Sequence, residues 1–425
     1  MSDKILENLI KKEIRRQKET INLIASENFV SREIMEIVGS PLMNKYSEGY
    51  ATEGRRYYPG NQYYNEIEKL AIERAKQVFR LGKNWHVNVQ SYSGSPANLE
   101  IYLALLEAPV FKKNRQVDIM GMSLASGGHL THGHKVNFSG LAYKVVQYGV
   151  DKKTGLIDYQ EIEHLAKKYR PKIVVSGATA YPRKIDFKKF GQIAKKIGAY
   201  HMADISHISG LIAAGLHQSP FPYTDVVMTT THKTLRGPRA AVIFCRKELA
   251  EKIDRAVFPG MQGGPHNNTI AAISQVFFEA KQPDFKTYQK QVIKNSKFLA
   301  ESLKKLGFNL ITGGTDNHLM LIDLKNSPDL LGVQINGLEA EKKLEKADVL
   351  VNRNSIPGDT SPFRPSGLRL GTPAVTTRGM KEKEMKKIAK LIYRILIKKE
   401  SSDLIKKEVI ELCRRFPIYA KNFWR

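Results

Sequence analysis

Short apolar runs alternate with amphipathic helical patterns through the first two thirds of the chain. The runs are rich in Val, Ile and Ala, which is typical of strands buried on both faces of a parallel sheet. The predicted strands are Val87–Gln90, Lys172–Ser176, Ala199–Asp204, Asp225–Thr230 and Ala240–Cys245. Helical spacing is represented by Ile67, Leu70, Ala71 and Val78. The alternation predicts an α/β fold whose mostly parallel sheet has helices on both faces.

The two ends of the chain differ from this central pattern. Before Ser40, a few apolar residues are followed by a polar run, which predicts an N-terminal helical arm. After Pro283, amphipathic helical patterns flank short strands, which predicts a smaller α+β domain. The elements predicted there are helices near Tyr288–Leu306 and Met380–Leu396 and a strand at His318–Asp323. We expect an arm at 1–40, a large domain at 41–282 and a small domain at 283–425.

Length and composition bound the class of protein. A chain of 425 residues with 42% hydrophobic residues exceeds what one core usually serves. The longest apolar stretches have only strand length, and the N-terminus is charged throughout, so we expect neither a secretory nor a membrane-spanning segment. Cys245 and Cys413 have no metal or redox spacing, which predicts free buried thiols in a reducing compartment. These features favour a cytoplasmic protein.

The net charge is strongly positive, because 68 Lys and Arg residues outnumber 42 Asp and Glu residues and leave +26. Such a balance raises nucleic acid as a partner. The basic residues are scattered over polar helix faces and mixed with glutamate, however, and no strip of basic and aromatic residues emerges. The distribution favours a solvated, lysine-rich surface without a dedicated nucleic-acid site.

Two predicted strands deliver a carboxylate and an amine. Asp204 ends one strand, and Lys233 follows the next strand after His232. Because ligands of open α/β sheets bind beyond the carboxyl ends of parallel strands, both side chains would face one crevice. A pyridoxal phosphate site needs this pair, since the amine captures the aldehyde and the carboxylate holds the ring nitrogen protonated. A solvated loop lysine and a helix N-cap aspartate are the alternatives for the two residues.

The segment Val87–Glu107 predicts a strand, a tight turn and a helix, an arrangement that binds phosphate. Ser95 would cap the helix, with Pro96 at its first position. Free amides there, beside Ser93 and Gly94, would form an anion site. A second glycine cluster at Phe258–Pro265, FPGMQGGP, could donate further amides, although either cluster alone is compatible with an ordinary turn.

Seven strings along the chain carry a family resemblance. They are LIASEN (23–28), NKYSEGY (44–50), GGHLTHG (127–133), THKTLRGPR (231–239), FPGMQGGP (258–265), GGTDNHL (313–319) and SGLRLGTPA (366–374). The chain resembles the serine hydroxymethyltransferases, which are pyridoxal phosphate enzymes with the aminotransferase-like fold of type I. The resemblance implies a large domain with a mostly parallel sheet and a smaller α+β C-terminal domain.

The resemblance also implies the cofactor contacts. Lys233 would hold the cofactor as an imine, the Asp204 carboxylate would hold the ring nitrogen protonated, and His129 would stack on the ring. His207 would hydrogen-bond near the ring hydroxyl and the substrate, and His232 would influence which reaction the imine undergoes. The remaining implied cofactor contacts are Ser93, Gly94, Ser95, Thr179, Thr230, Arg239, Tyr46, Gly263 and Gly264.

The substrate contacts follow from the same resemblance. Arg369 would clamp the substrate carboxylate with paired hydrogen bonds, assisted by Ser26, and Tyr57 would be a further contact. Glu48 would handle protons during aldol cleavage or folate-dependent transfer. The implied folate contacts are Glu48, Leu124, Gly128, Asn354, Ser361 and Phe363. L-serine and tetrahydrofolate would be converted reversibly to glycine and 5,10-methylenetetrahydrofolate.

Three histidines allow a different interpretation, because the spacing of His129, His132 and His134 is compatible with zinc. No acidic or cysteine ligand lies close in sequence, and the neighbouring glycines suggest approach of the backbone to a planar ligand. We therefore expect no metal.

Two other functions remain as alternatives. A folate-independent aldolase acting on threonine-like 3-hydroxy amino acids would use the same imine, but Glu48, Asn354 and the SPF segment at 361–363 argue against it. A basic RNA-binding protein that has lost catalysis is disfavoured because Lys233 and Asp204 are both present.

The resemblance implies a homodimer with shared active sites, in which Tyr46 reaches the phosphate of the neighbouring subunit. A tetramer stays open, and so does the choice between folate and methanopterin. The chain departs from the family pattern at Ser126, Arg236, Pro96, the longer stretch 49–57 and an insertion within Glu107–Met122, which we expect to form a surface loop. None of these departures removes a group that the chemistry requires.

Overall fold

The computed structural model describes residues 3–51, 56–106, 117–327, 335–359 and 364–419. Contacts within the chain divide it into two compact units. The large unit comprises Val30–Thr179 and Lys184–Gln289, and the small unit comprises Met1–Phe29, Ala180–Arg183 and Lys290–Arg425. The domain boundaries expected from the sequence stay predictions.

The strands are short and, in chain order, have the following bounds. They are β1 (Ile21–Asn22), β2 (Trp85–Asn88), β3 (Ile119–Met122), β4 (Val145–Tyr148), β5 (Ile173–Ser176), β6 (Tyr200–Asp204), β7 (Val226–Thr230), β8 (Ala241–Arg246), β9 (Asn309–Leu310), β10 (Leu319–Asp323), β11 (Val349–Leu350), β12 (Asn352–Asn354) and β13 (Gly367–Gly371).

The α-helices vary from one turn to more than six turns. They are α1 (Lys4–Glu19), α2 (Arg32–Val38), α3 (Gln62–Phe79), α4 (Gly94–Leu105), α5 (Phe138–Ala142), α6 (Tyr159–Tyr169), α7 (Phe187–Ile197), α8 (Ser209–Ala213), α9 (Ala250–Arg255), α10 (Asn267–Ala280), α11 (Pro283–Lys305), α12 (Gly337–Lys346), α13 (Pro373–Thr377), α14 (Glu382–Leu396) and α15 (Ser402–Arg415).

A seven-stranded sheet forms the centre of the large unit as described, in the order β2-β8-β7-β6-β5-β3-β4. β8 is antiparallel to both of its neighbours, and the other pairs are parallel. Strands β5 and β7 are buried at every position, as in a sheet covered on both faces. The structure therefore confirms the predicted α/β fold with a mostly parallel sheet.

The five strands predicted for this sheet are all present, with small shifts at their ends. The largest shift is at β2, which occupies Trp85–Asn88 instead of Val87–Gln90. Two strands were not predicted, β3 and β4. The end of the Glu107–Met122 stretch, Ile119–Met122, forms the buried strand β3. Residues 107–116 lie outside the described residues, so the surface loop expected for the insertion stays a prediction.

Helix α7 illustrates how the sequence specifies the layers around this sheet. The side chain of Asp186 caps its N-terminus by accepting the backbone N–H of Lys189, and Gly198 ends it in the left-handed conformation at φ +70°. Its buried residues recur at helical spacing, at Phe187, Phe190, Ile193, Ala194 and Ile197. The helix therefore turns one apolar face to β5 and β6 and leaves its lysines on the outside.

The small unit has its own antiparallel sheet, in the order β12-β13-β10-β9. Helices α12, α14 and α15 pack with it around one apolar core. The predicted apolar face of α14 is confirmed, since Met385, Ile388, Ile392 and Ile395 are all buried. β1 pairs in parallel with β11, which brings the segment after residue 22 close to this sheet.

The N-terminal part of the chain forms helix α1, as predicted. Asp3 caps it, and no α1 residue is buried. Ile5, Leu6 and Leu9 are exposed to 77%, 54% and 55%. Over the described residues, no helix combines the length and the apolar character that crossing a membrane requires. Both cysteines are free and buried, in agreement with the prediction.

Candidate functional site

Five loops of the large unit emerge at the same edge of its sheet, because each follows one of the strands that point in one direction. The loop after β2 ends at Ser93, directly before Gly94 begins α4, the loop after β3 contains His129, and Thr179 follows β5. Asp204 ends β6, and Lys233 lies three residues after the end of β7. The structure thus collects at one edge several of the residues that the sequence analysis assigned to a cofactor.

The Asp204 carboxylate is almost completely buried and accepts three hydrogen bonds. Its Oδ2 atom accepts from Nδ2 of Asn98 and from Nε2 of His132, each over 3.1 Å. Its Oδ1 atom accepts the backbone N–H of Ser206 over 3.1 Å. Burial is the largest single influence and would raise the pKa of this carboxyl, but the hydrogen bonds from His132 and Ser206 and the electrostatic attraction of His132 and His129 together outweigh it and hold the pKa below its ordinary value. Asp204 is therefore a carboxylate at neutral pH.

Asn98 and His132 were not predicted as site residues. The Nδ1 atom of His132 accepts the backbone N–H of His129 over 3.3 Å, so its Nε2 atom carries the proton donated to Asp204. Nδ2 of Asn98 also donates to Oγ1 of Thr131 over 2.7 Å, and that hydroxyl contacts Nδ1 of His129 at 2.7 Å. One hydrogen-bonded network therefore positions both Asp204 and His129.

Close packing of the loop after β3 determines where His129 lies. A Cβ atom at Gly128 would come within 2.0 Å of the Met122 carbonyl oxygen, so only glycine fits there. Leu124 begins a short 3₁₀ helix that ends at Gly127 in the left-handed conformation. The backbone N–H of Thr179 donates to the Gly127 carbonyl over 2.7 Å, which joins this loop to the one after β5.

The turn that carries Lys233 is held by hydrogen bonds on both sides. The hydroxyl of Thr231 donates to the Pro238 carbonyl over 2.5 Å, and the hydroxyl of Thr234 donates to the buried His207 carbonyl over 3.0 Å. Burial, with the charges of Lys233 and Arg239, lowers the pKa of His232 to about 3. His232 is therefore a neutral imidazole beside the Lys233 amine.

Helix α4 begins at Gly94, with Ser93 as its N-cap. The prediction of Ser95 as N-cap and Pro96 as the first helical residue is therefore wrong by two positions, and Ser95 and Pro96 lie inside the first turn. The Ser93 side chain does not cap the helix, which leaves first-turn amides without a partner inside the helix. A Cβ atom at Gly94 would approach Cγ2 of Thr230 to 2.7 Å, so glycine permits the close approach of α4 to the end of β7.

The second glycine cluster lies beside this turn. The side chain of Gln262 donates to the Gln90 carbonyl over 2.8 Å and accepts the backbone N–H of Tyr92 over 3.2 Å. The Tyr92 hydroxyl donates to the Gly264 carbonyl over 2.7 Å. A Cβ atom at Gly263 would lie 3.3 Å from Oε1 of Glu48, so this carboxylate rests against the glycine cluster.

The aromatic residues near Glu48 are largely exposed. Tyr46 is exposed to 60%, and its ring lies about 3 Å from where a Cβ atom of Gly264 would be. Tyr57 is exposed to 81%, and its ring packs edge-on against that of Tyr58, which in turn packs edge-on against Tyr46. These rings form an accessible aromatic cluster on the large unit.

Arg369 lies at the centre of β13 in the small unit and is only 6% exposed. Its Nε atom donates to Oδ1 of Asn352 over 2.9 Å, and its Nη2 atom donates to Oγ of Ser26 over 3.5 Å. A Cβ atom at Gly371 would meet Ala25 at 2.5 Å, so glycine allows the 23–28 segment to lie close to β13. Burial lowers the pKa of Arg369 to about 10, which still leaves it charged at neutral pH.

The residues predicted to contact folate are divided among several parts of the chain. Leu124, Gly128 and Glu48 belong to the large unit, and Asn354 ends β12 in the small unit. Ser361 and Phe363 lie outside the described residues. Within residues 3–419, as far as they are described, no group of three or more His, Cys, Asp and Glu side chains could hold a metal ion.

Comparison with protein families gives one match. The family model described as serine hydroxymethyltransferase matches residues 1–392. The matched range covers most of the chain and contains every loop at the sheet edge described above, together with Ser26, Asn352 and Arg369.

Proposed function

The chain belongs to the serine hydroxymethyltransferase family, and we propose which of its residues perform the reaction of that family. The reaction converts L-serine and tetrahydrofolate reversibly to glycine and 5,10-methylenetetrahydrofolate with pyridoxal phosphate as cofactor. The observation that carries the assignment is the buried Asp204 carboxylate at the same sheet edge as Lys233. Nothing in the family match or in the described residues favours the folate-independent aldolase.

The residues at the sheet edge fit pyridoxal phosphate. Three buried polar atoms there, Oγ1 of Thr230, Nδ1 of His232 and Oδ1 of Asn98, have no hydrogen-bond partner among the described residues. A buried polar atom left unpaired costs on the order of 1–3 kcal/mol, so such a cluster is typical of a ligand site. The ionised Asp204 supplies the negative charge that a protonated pyridine ring needs, and the first-turn amides of α4 supply the hydrogen-bond donors that a phosphate needs.

When bound, pyridoxal phosphate supplies an electron sink for the bond that is broken at the substrate α-carbon. Lys233 provides the amine that holds the cofactor aldehyde. Asp204 keeps the proton on the ring nitrogen, because its own pKa is low and its position is fixed by Asn98 and His132. His129 would lie beside the ring and exclude water from it.

The phosphate is bound by groups that donate hydrogen bonds. Ser93, Gly94 and Ser95 contribute hydroxyls and the amides of the first turn of α4. Tyr46, Gly263 and Gly264 complete the phosphate site of a neighbouring subunit in a homodimer with shared active sites, which agrees with the oligomeric state of the family. Their exposure supports this assignment, since Tyr46 and Gly263 are both accessible on the described surface.

Further contacts to the ring and its surroundings come from Thr179, His207, Thr230 and Arg239, as the resemblance implies. His232 acts as a neutral hydrogen-bonding group, because burial and two neighbouring cations prevent its protonation at neutral pH. It therefore influences the reaction at the Lys233 amine without adding a positive charge.

Arg369 binds the substrate carboxylate. Its guanidinium is oriented by Asn352 and Ser26 and stays charged despite burial. A buried cation that is held in one orientation favours a planar anion, such as the carboxylate of serine or glycine. Tyr57 is a further substrate contact.

Glu48 transfers protons during one-carbon transfer, and Leu124, Gly128 and Asn354 contact the pterin together with Ser361 and Phe363. Glu48 is half-buried against Gly263, which gives it a defined position without removing it from solvent. We propose a cytoplasmic location, a reducing compartment in which the two buried cysteines stay free.

Borohydride reduction followed by peptide mapping tests the assignment. Reduction of the cofactor-loaded protein should attach the pyridoxyl group to Lys233, and Lys233→Arg should carry none. Lys247→Arg, at an exposed lysine, is the matched control and should be labelled at Lys233 like the parent. Label on another lysine would contradict the assignment.

A second measurement separates the transferase from an aldolase. The rate of proton exchange at the glycine α-carbon should rise when tetrahydrofolate is added to the loaded protein. An exchange rate that ignores tetrahydrofolate would contradict the folate-dependent function while leaving the cofactor assignment intact.

A further inference from the structure

Residues 47–49 form a short segment whose backbone is held on both sides of Glu48. Nη1 of Arg56 donates to the carbonyls of Ser47 and Gly49 over 2.6 and 2.9 Å. The carbonyl of Glu48 itself accepts the backbone N–H of Tyr57 over 3.1 Å. All three carbonyls of the segment are therefore occupied by residues 56 and 57.

The other nitrogens of the Arg56 guanidinium contact side chains, and the Arg56 side chain is 1% exposed. Nε donates to Oδ1 of Asn65 over 2.7 Å, and Nη2 donates to Oε2 of Glu68 over 2.8 Å. Each nitrogen of the planar guanidinium thus has an acceptor in a different direction. A lysine ammonium, which is a compact charge on a flexible stem, could not satisfy this arrangement.

Glu68 neutralises the buried positive charge of Arg56 and also accepts a hydrogen bond from the backbone that follows Glu48. Its side chain is 2% exposed; Oε1 accepts the backbone N–H of Ala51 over 3.2 Å, and Oε2 also accepts Nε2 of Gln90 over 2.9 Å. The same Gln90 nitrogen donates to the Gly49 carbonyl over 3.0 Å. The ion pair is therefore connected to the backbone before and after Glu48 as well as to the end of β2.

The neighbouring side chains of the segment point into the protein. Ser47 is buried and donates to Oδ1 of Asn267 over 2.5 Å, and the buried Tyr50 donates to the Asp254 carbonyl over 2.6 Å. Glu48 is half-buried, and its carboxylate rests against Gly263. Among residues 47, 48 and 50, Glu48 alone has a side chain that is not buried in the large unit.

We propose that Arg56 and Glu68 are positioning residues that hold the Glu48 carboxylate in the orientation that one-carbon transfer needs, an inference that rests on the proposed role of Glu48. A buried ion pair is seldom the most stable choice for a protein interior, because apolar residues of similar volume often give equal stability. An arginine with four acceptors in fixed directions does, however, specify one backbone conformation. The pair thus acts on the reaction through Glu48.

A double-mutant cycle between Arg56 and Glu48 tests the proposal. Arg56→Lys keeps the positive charge and loses the planar guanidinium with its fixed N–H directions, and Glu48→Gln removes the carboxylate. We expect Arg56→Lys to lower kcat of the folate-dependent reaction about 10- to 100-fold, with cofactor content and glycine affinity within about twofold of the parent. In the Glu48→Gln background, Arg56→Lys should have little further effect on kcat, because its effect passes through Glu48.

Glu68→Gln is the second variant, because it keeps the size of the side chain and removes the charge. We expect it to lower kcat in the same direction as Arg56→Lys. Glu66→Gln, two residues away on the exposed side of α3, is the matched control and should leave kcat unchanged. Hydrogen–deuterium exchange of residues 45–51 should be faster in Arg56→Lys and Glu68→Gln and unchanged in Glu66→Gln.

The outcomes separate the inference from the function on which it rests. If Glu48→Gln retains the kcat of the parent, the role of Glu48 is wrong and the positioning inference falls with it. If Glu48→Gln is impaired but Arg56→Lys and Glu68→Gln are not, the positioning inference alone is wrong. The positioning inference would be overturned if the kcat losses of Arg56→Lys and Glu48→Gln multiplied in the double variant. It would also be overturned if Arg56→Lys reduced glycine affinity as much as kcat, because both results indicate a general structural role.

Discussion

Nε2 of His132 donates a hydrogen bond to Oδ2 of Asp204, and 1% of the His132 side chain is exposed. The orientation of the imidazole is itself determined, since its Nδ1 accepts the backbone N–H of His129. His129 and Asp204, the two residues proposed to contact the cofactor ring, are thus coupled through one imidazole. This coupling makes His132 important although it is not assigned a contact with substrate or cofactor.

Replacement of His132 by alanine is expected to weaken cofactor binding. The Asp204 carboxylate would lose a hydrogen bond to a buried charge, which is worth about 1.5–3 kcal/mol, or roughly 10- to 100-fold in affinity. Equilibrium dialysis against pyridoxal phosphate, followed by absorbance, measures the change. His134→Ala is the control, because His134 makes no hydrogen bond to Asp204 among those described. Equal cofactor affinity in His132→Ala and the parent would contradict the prediction.

Arg369→Lys is expected to reduce affinity for glycine and serine about 10- to 100-fold, since lysine lacks the planar fork that binds a carboxylate with two hydrogen bonds. Titration of the loaded protein with glycine, followed by absorbance, gives the dissociation constant. Arg353→Lys on neighbouring β12 is the control, because Arg353 is half exposed and pairs with Glu341. A larger loss in the control than in Arg369→Lys would argue against Arg369 as the carboxylate site.

The buried carboxyl of Glu100 predicts a pH dependence of stability. Burial raises its pKa from 4.5 to about 7, and the hydroxyl of Ser91 donates to it over 2.5 Å. The folded protein binds this proton more tightly than the unfolded chain, so stability from this group is fully present below about pH 4.5 and is lost as pH rises through about 7.

Glu100→Gln is neutral at every pH and should remove this dependence. Urea unfolding at several pH values measures the fall in the free energy of unfolding between about pH 5 and pH 8. This fall should be about 3 kcal/mol smaller in the variant than in the parent. Glu66→Gln, at an exposed carboxylate on α3, should follow the parent. Parallel curves for Glu100→Gln and the parent would show that Glu100 titrates normally.

The sheet strands that carry Asp204 and Lys233 could be predicted, because strands buried at nearly every position leave a mostly apolar run in the sequence. β3 and β4 were missed, since IMGM contains glycine and two methionines, and only one residue of VVQY is buried. The start of α4 was placed two residues late because three serines and a proline offer several plausible caps.

The supporting residues of the site could not be predicted from spacing. Asn98 and His132 lie 106 and 72 residues from Asp204 in the chain, and only the folded sheet brings them together. Asn352 faces Arg369 through the register of β12 and β13, which local patterns do not specify. Asn98 did carry a weak signal, because it lies four residues after Gly94 and thus on the same face of α4.

The strands that carry Asp204 and Lys233 begin at the opposite rim of the large sheet, and β8, which runs in the reverse direction, ends there. The chain leaves β8 at Arg246 on that rim, and the turn at Gly198, where an added methyl group would meet no atom within 4 Å, precedes β6 there as well. The surface at this rim can therefore be altered without changing Asp204 or Lys233, which lie at the other edge of the sheet. A fluorescent label or an affinity handle attached beside Gly198 would report on the protein while leaving turnover untouched.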